Sequence, residues 1–385
     1  MRKNHFISVW TALVVLSLTA CNVKQLDLPA DTVSGENTGT VLVQVKAPES
    51  PELLTKVDGG STQLENEKKV NSLQVFIFKK TGDDPADNLL ETDKYVTGAN
   101  TVSLNTLTGD KVIWALVNAP RLNNITNEKK LQDEACWLKY NTPDNLVMVG
   151  HGDANVKQFN ASGDAALGSK TPVEIEVKHL CARISLHSVA ADFRGTSLEG
   201  AKLTLLEAYL LNVPNICTFG GRAMTISELS NPLYWYNFRA LGTSSNEVYL
   251  NDTHKVLKES GLSLSINTSD ATVGTSVNKF FYMCPNVSTE KSDDEAYSAR
   301  LTRLILHTYI EKDSRKFDSY YSFNIPVYGS GLTIESNHVY AISKITITNA
   351  GSTVPPPFPD MEYGKVNASI EVGEWGTPKT LSYEF

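Results

Sequence analysis

Histidines and carboxylates are the residues of this sequence whose types could support catalysis or metal binding. His151 and Asp153 lie together in the Gly-rich stretch GHGD (150–153), which we interpret as a turn rather than a site. His179 and His187 would lie about 26 Å apart along an extended strand, so they cannot share a metal ion. The sequence contains no P-loop, GxGxxG, HExxH or GxSxG motif. We therefore predict that the protein is not an enzyme and has no catalytic residues, no cofactor and no metal site.

Two other stretches have a composition that suits a ligand. The acidic stretch SDDE (292–295) could hold calcium, but it lacks the oxygen-ligand spacing of a calcium loop, and we interpret it as a solvated loop. Trp235, flanked by Tyr234 and Tyr236, would suit a platform on which sugars stack. The same residues could equally be packed on the body of the protein, so both interpretations stay open.

The N-terminus has the layout of a secretory signal. Met1–Lys3 is basic, and Phe6–Ala20 is an uncharged apolar run that is too short to span a bilayer as a mature helix. The run closes with Leu18-Thr19-Ala20-Cys21, which resembles the lipobox of bacterial lipoproteins. The resemblance implies that residues 1–20 are removed and that the Cys21 thiol is acylated, which anchors a chain to a membrane without spanning it.

Charge and cysteine usage exclude other classes of protein. The formal net charge is −8 and no long basic run occurs, so we do not expect nucleic acid as a partner. Besides Cys21, the cysteines are Cys136, Cys181, Cys217 and Cys284, with no CxxC pair, so a zinc site is not expected. Export would permit disulfides, but widely spaced cysteines are as often buried thiols, which we favour.

Short segments rich in β-branched and aromatic residues, bounded by Gly, Asn, Asp or Pro, recur along the chain and predict strands. They cover residues 40–45, 72–78, 111–118, 172–177, 182–189, 201–213, 279–284, 300–310, 320–327 and 339–349. The stretch 124–137 predicts one modest helix with an Asn or Thr cap. Many short strands with turn punctuation predict an all-β protein of two tandem β-sandwich domains, with loop insertions and a few short helices.

Both ends of the exported chain alternate apolar and polar residues, which is the pattern of a strand with one buried face. The apolar members are Val41, Val43 and Val45 near the N-terminus and Ile370, Val372, Leu381, Tyr383 and Phe385 at the C-terminus. Because most domains let their last residues fray, three apolar side chains at the end of a chain need a partner, in the same molecule or in another.

Several stretches, taken in order, resemble landmarks of the fimbrillins, which are pilus subunits of Bacteroidales. They are SLQVFIF (72–78), VIWALVNAP (112–120), VEIEVKHLCARISL (173–186), FFYMCPN (280–286), YYSFNIPVYGSGLTIESNHVYAISKITITNAGS (320–352) and, after a Pro-rich spacer, VNASIEVGEW (366–375). The resemblance covers nearly the whole chain, including the lipobox. Its layout is similar to that of the stalk subunit of the major fimbrium.

The resemblance implies a mechanism of assembly. Fimbrillins reach the outer membrane as lipoproteins, and a trypsin-like surface protease then removes the N-terminal segment with its first strand. The C-terminal strand of the next subunit fills the vacated groove by β-strand addition. The partners implied are other fimbrial subunits, the protease and, before assembly, the outer membrane. The displaced strand would contain Val41, Val43 and Val45, and the donor strand would contain Ile370, Val372, Leu381, Tyr383 and Phe385.

The resemblance also divides the chain. Residues 1–20 are the signal peptide, and residues 21–56 form a propeptide-like segment with the removable first strand. Residues 57–185 and 186–385 are the N-terminal and C-terminal sandwich domains, with residues 182–189 running across the junction.

The processing site departs from the usual Arg of the family, because no Arg occurs between Arg2 and Arg121. By position, Lys56 in SPELLTKVDGG is the first candidate and Lys46 is the second. A protease specific for Arg would leave the chain uncut, so an anchor subunit that does not polymerise is one alternative. The others are a surface glycan-binding lipoprotein and a secreted hydrolase, although the sequence displays no paired carboxylates or triad for the latter.

Overall fold

The computed structural model describes residues 38–48, 65–158, 170–225, 227–229, 234–236, 238–239, 248–249, 257–270, 272–287, 301–325, 333–353, 366–374 and 377–379. Within these ranges β-strands dominate, which confirms the predicted all-β fold. The strands up to residue 179 are β1 (Thr38–Lys46), β2 (Ser72–Lys79), β3 (Leu90–Thr97), β4 (Thr101–Leu107), β5 (Gly109–Val117), β6 (Ala135–Trp137), β7 (Met148–Val156), β8 (Thr171–Glu176) and β9 (Lys178–His179).

The later strands follow in two groups. The first is β10 (Ala182–Ala191), β11 (Lys202–Leu211), β12 (Val213–Pro214), β13 (Ile216–Thr218), β14 (Trp235–Tyr236), β15 (Phe238–Arg239), β16 (Val248–Tyr249), β17 (Lys258–Glu259) and β18 (Leu264–Ile266). The second is β19 (Thr275–Met283), β20 (Asn286–Val287), β21 (Thr302–Lys312), β22 (Arg315–Ile325), β23 (Thr333–Ile334), β24 (His338–Ile347), β25 (Val366–Glu374) and β26 (Thr377–Lys379).

The first sandwich packs a three-stranded sheet on a five-stranded sheet. The smaller sheet has the order β4-β1-β8, and the larger has the order β3-β2-β5-β7-β9. Their facing side chains form one buried cluster, to which β1 contributes Val41 and Val43 and β2 contributes Leu73 and Val75. Apart from its terminal lysine, β2 is buried along its whole length because its second face, with Phe76, enters another core.

The second sandwich pairs a sheet of order β19-β10-β24-β25-β26 with a sheet of order β17-β11-β21-β22. Side chains of β10, β11, β21 and β24 fill the space between them, including Ile184, Leu205, Leu306 and Ile342. The same buried cluster contains Phe76 of β2, so apolar packing continues from the first sandwich into the second.

One helix, α1 (Glu128–Asp133), lies within the stretch predicted to be helical and is shorter than that stretch. The Asn127 side chain caps it by accepting a hydrogen bond of 2.8 Å from the backbone N–H of Lys130. Buried Glu128 accepts hydrogen bonds from Trp114 Nε1 at 2.9 Å and from Asn88 Nδ2 at 2.7 Å. These bonds fix the helix to the outer face of the five-stranded sheet.

Two features differ in position from the sequence-based expectations. The stretch GHGD is not a turn, because His151 and Asp153 lie inside β7, where Gly150 allows β8 to approach closely. The predicted boundary at residue 185 falls within β10, all of whose partners are later strands. The chain passes from the first set of sheets to the second between His179 and Ala182.

Candidate functional site

The first strand is the middle strand of its sheet. It runs antiparallel to β4, with Thr38 opposite Leu107 and Gln44 opposite Thr101. It runs parallel to β8, with Val41 opposite Thr171. Because both edges of β1 are paired, its removal would leave two unpaired strand edges that face each other across an open slot. We call this slot the β1 groove: the space between β4 and β8 above β2 and β5.

The floor of the β1 groove is apolar. Val41 and Val43 are 0% exposed and Val45 is 3% exposed, so all three predicted inward residues lie in the core. Their cluster includes Val75 and Ile113 from the sheet below. Burying three valines contributes roughly 5–9 kcal/mol, at about 1.5–3 kcal/mol for each side chain. A vacant groove would therefore expose an apolar surface that another strand could cover.

The last residue of β1, Lys46, is one of the two candidate cleavage sites. Lys46 has an exposed side chain, but its carbonyl accepts a 3.0 Å hydrogen bond from the backbone N–H of Val177. A protease would have to break this pairing to bind the chain at Lys46 in an extended form. Lys56 lies outside the described residues, as does Cys21.

A buried ionic contact that sequence reasoning missed lies between β1 and β2 in the chain. Glu67 lies on a short 3-10 turn (Glu65–Lys68) and is 0% exposed. Nη1 of Arg183, on β10, donates to both of its carboxylate oxygens at 2.9 and 2.8 Å, and the Tyr282 hydroxyl donates at 2.7 Å. The contact thus fixes the segment downstream of the candidate cleavage site to the second sandwich.

Two ionisable neighbours of this contact have altered acidities. His179 Nε2 lies 3.0 Å from the backbone carbonyl oxygen of Glu67. Burial, with a smaller contribution from the positive charge of Arg183, lowers the pKa of His179 to about 3, although the hydrogen bond with the Glu67 carbonyl opposes the shift. Burial, with the negative charge of Glu67, raises the pKa of Tyr282. At neutral pH His179 is therefore uncharged and Tyr282 keeps the proton that it donates to Glu67.

The C-terminal strands pair within this chain. Strand β25 lies antiparallel to β24, with Ile370 opposite Ile342 and Val372 opposite Tyr340. Strand β26 continues the sheet beside β25. In a single chain, the first half of the predicted donor therefore belongs to the second sandwich, and a donor role requires it to leave that place. The predicted donor residues Leu381, Tyr383 and Phe385 lie outside the described residues.

The four cysteines of the described residues are buried free thiols, as we favoured from the sequence. Cys217 lies opposite Cys136 in the β6–β13 pair, and its thiol is 3.7 Å from the Cys136 carbonyl oxygen. Burial raises the pKa values of Cys181 and Cys284. These two groups are thiols rather than reactive thiolates at neutral pH.

The remaining sequence candidates do not form a ligand site in the described part of the chain. His151 stacks on Trp114, with ring centroids 4.7 Å apart, and Asp153 forms an ion pair with Lys80. No group of three or more His, Cys, Asp or Glu residues in the described ranges is arranged to hold a metal ion. The SDDE stretch lies outside those ranges. Among the described helices, none is long and apolar enough to cross a membrane.

The aromatic candidate for sugar stacking is packed on the body of the protein. Trp235 is 7% exposed, and its Nε1 donates to the Leu229 carbonyl oxygen at 2.9 Å. Tyr236 is also buried, and the ring of Tyr234 lies 6.0 Å from that of Trp137. Of the two interpretations left open by the sequence, the structure therefore supports packing and not an exposed platform.

Comparison with solved structures identifies the class of fold. The chain has the all-β fold of fimbrilins and of proteins assigned to cell adhesion in Bacteroidales, which confirms the resemblance as one of fold. A fimbrilin from Porphyromonas gingivalis W83 has a TM-score of 0.55 and 14% identity, covering 90% of this chain and 99% of its own.

Two structures from Parabacteroides distasonis ATCC 8503, both assigned to cell adhesion, are similar over the same extent. One has a TM-score of 0.55 and 18% identity, covering 88% of this chain and 97% of its own. The other has a TM-score of 0.56 and 14% identity, covering 89% of this chain and 100% of its own. No protein-family model matches the sequence, and no curated protein matches it.

Proposed function

We propose that this protein is a structural, non-enzymatic subunit of a cell-surface fimbrium. In this proposal it is exported as a lipoprotein through Cys21 and held at the outer membrane until a trypsin-like protease cuts after Lys56. Loss of the first strand opens the β1 groove, and the C-terminal segment of another copy fills it. The resulting polymer supports adhesion at the cell surface.

The observation that carries the proposal is the place of β1. It is held on both edges and by a buried apolar face, yet it is the first strand of its sandwich along the chain, and only the segment between Lys46 and Ser72 joins it to the other strands. A cut in that connection separates it covalently without breaking the other strands of the first sandwich. The fold shared with a fimbrilin supports the same interpretation.

Polymerisation after proteolysis tests the proposal. Purified protein treated with trypsin should lose its N-terminal segment and then form ladders that survive mild SDS, because an exchanged strand is held by a full set of ladder hydrogen bonds and apolar contacts. Electron microscopy with an antibody to this protein should label surface filaments. Cut protein that remains monomeric would contradict the proposal.

Lipidation is tested separately from polymerisation. Cells fed a labelled fatty acid should incorporate the label into the wild-type protein and not into Cys21→Ser. Label that remains on the mutant would contradict acylation at Cys21 without bearing on strand exchange.

An anchor subunit is the alternative that the processing site favours, because no Arg precedes residue 121 in the exported chain. N-terminal sequencing of the protein taken from filaments distinguishes the two roles. A start at Val57 indicates a polymerising subunit, whereas a start at the lipidated Cys21 indicates an anchor.

A further inference from the structure

Gly39, near the start of β1, lies where the end of β7 passes very close to the strand. A Cβ atom built on Gly39 would lie 2.4 Å from the carbonyl oxygen of Lys157 and 2.6 Å from Cγ1 of Val156. Real Cβ atoms do not approach other atoms within 3.0 Å. Because one of the two atoms belongs to the backbone, a rotamer change cannot relieve the contact. A strand that fills the β1 groove must therefore have glycine at this position.

The β1 groove also fixes which positions must be apolar. Val41, Val43 and Val45 follow Gly39 at the second, fourth and sixth positions, and all three point into the core. A slip of one residue would turn every inward side chain outward. The requirement on an occupant is thus a glycine followed by apolar residues at the second, fourth and sixth positions.

The sequence meets this requirement at one other place. Of its 24 glycines, only Gly39 and Gly364 are followed by Ala, Val, Ile, Leu, Met, Phe, Trp, Tyr or Cys at all three positions. After Gly364 these residues are Val366, Ala368 and Ile370, and Val372 extends the alternation. All four residues lie in strand β25.

The last residues of the chain fit the groove less well. If Leu381, Tyr383 and Phe385 took the places of the three valines, Lys379 would take the place of Gly39, and its side chain would meet the backbone of Lys157. A tail that entered in the opposite direction would need apolar residues before a glycine. Gly373 and Gly376 are instead preceded, two positions earlier, by glutamates.

We infer that residues 364–372 of one subunit take the place of residues 39–47 of the next, in the direction of β1 and with Gly364 beneath Val156 and Lys157. This inference rests on the proposed function and specifies the partner segment and its register. Val366 would then lie opposite Leu104, and Ala368 would lie opposite Val102, as Val41 and Val43 now do. Gly364 lies outside the described residues, and its assignment to this position follows from the sequence alone.

The register also places a smaller side chain, that of Ala368, at a buried position of the groove. Ala368 replaces Val43, which is 0% exposed, so the exchanged strand leaves a space of two methyl groups at the centre of the groove. Filling this space with Ala368→Val should therefore tighten binding by about tenfold, from about 0.8 kcal/mol per buried carbon.

Peptide binding to the full chain cut by trypsin tests the inference. Three fluorescent peptides have the wild-type sequence of residues 38–47, 364–374 and 379–385. Two more are variants of the 364–374 peptide, one with Gly364→Val and one with Ala368→Val. We expect the first two to bind, Gly364→Val to reduce affinity at least 100-fold, Ala368→Val to raise it, and residues 379–385 not to bind. Equal affinity of the Gly364→Val peptide, or binding of residues 379–385 alone, would overturn the inference.

The peptide of residues 38–47 distinguishes failure of the inferred register from failure of the proposed function. If it does not bind the cut chain, the β1 groove does not accept strands, and both proposals are wrong. In the full-length protein, Gly364→Val should abolish polymerisation after cleavage. Lys365→Val, which adds a branched side chain on the opposite face, should leave polymerisation intact. Both variants should unfold at the wild-type temperature, which shows that the defect is in assembly.

Discussion

Glu67 and Arg183 form an ion pair that links the segment between β1 and β2 to strand β10 of the second sandwich, with side chains that are 0% and 1% exposed. Breaking a buried pair leaves an uncompensated charge, so we expect Glu67→Gln to lower the free energy of unfolding by about 3–5 kcal/mol. Denaturant unfolding measures the change. The control is Glu228→Gln, which removes the partly exposed pair with Arg222 and should cost at most about 1 kcal/mol. Similar losses in the two variants would contradict a special role for the buried pair.

His179 should make the protein less stable in mild acid. Its pKa is about 3 in the folded chain and near the ordinary value of 6.5 in the unfolded chain, so only the unfolded chain takes up its proton between these values. Stability contributed by neutral His179 is complete above pH 6.5 and falls by up to about 1.4 kcal/mol per pH unit below it. Unfolding measured from pH 7 to pH 4 should show a shallower slope for His179→Gln than for the wild type. An unchanged slope would show that other groups cause the acid sensitivity.

Gly39→Val should destabilise the uncut chain. The added side chain meets the Lys157 carbonyl oxygen, and overpacking of this kind costs about 1–3 kcal/mol or more. Gly82→Val is the matched control, because a Cβ atom there meets nothing within 4 Å. Thermal unfolding of both variants provides the comparison. A loss confined to Gly82→Val, or equal losses, would mean that the approach of β7 to β1 does not constrain the strand.

Trypsin processing should depend on Lys56 and not on Lys46. The Lys46 carbonyl accepts a hydrogen bond from the backbone N–H of Val177, just after β8, so the Lys46–Ala47 peptide bond is protected as long as β1 is paired. Lys56→Gln should abolish the specific cut, whereas Lys46→Gln should leave it unchanged. Mass spectrometry of the fragments identifies the site. A fragment that starts at Ala47 in the wild type would show that β1 leaves its sheet before cleavage.

Strand β1 was predictable because its alternating valines all face one core. The valines of β1 illustrate this, since Val41, Val43 and Val45 were identified from spacing alone and are buried. Strand β3 (LETDKYVT) lies at an edge of its sheet and has no fully buried residue. Its sequence therefore lacks the alternation of apolar and polar residues from which a strand is predicted. In β7, Gly150 and Gly152 resemble turn residues, yet a Cβ atom at Gly150 would lie 2.3 Å from the Glu176 carbonyl oxygen. The close approach of two strands, and not a turn, requires that glycine.

The ionic contact of Glu67 could not be predicted from local sequence. Glu67 lies 116 residues from Arg183 and 215 residues from Tyr282, and a Glu between lysines and asparagines resembles an exposed loop. Only the packing of the two sandwiches brings the three side chains together. The cysteines are similar, because Cys136 and Cys217 come together only when β6 and β13 pair.

The pairing of β1 with β4 on one side and β8 on the other has a mechanical consequence for any strand that replaces it. A strand pulled along its own axis between two neighbours loads the hydrogen bonds on both edges at the same time, whereas a strand pulled sideways breaks them one after another. In the proposed polymer, tension would be transmitted along the inserted strand, so each joint between subunits would be loaded in shear. The same pairing on both edges would let the proposed filament bear the drag of flowing liquid without coming apart.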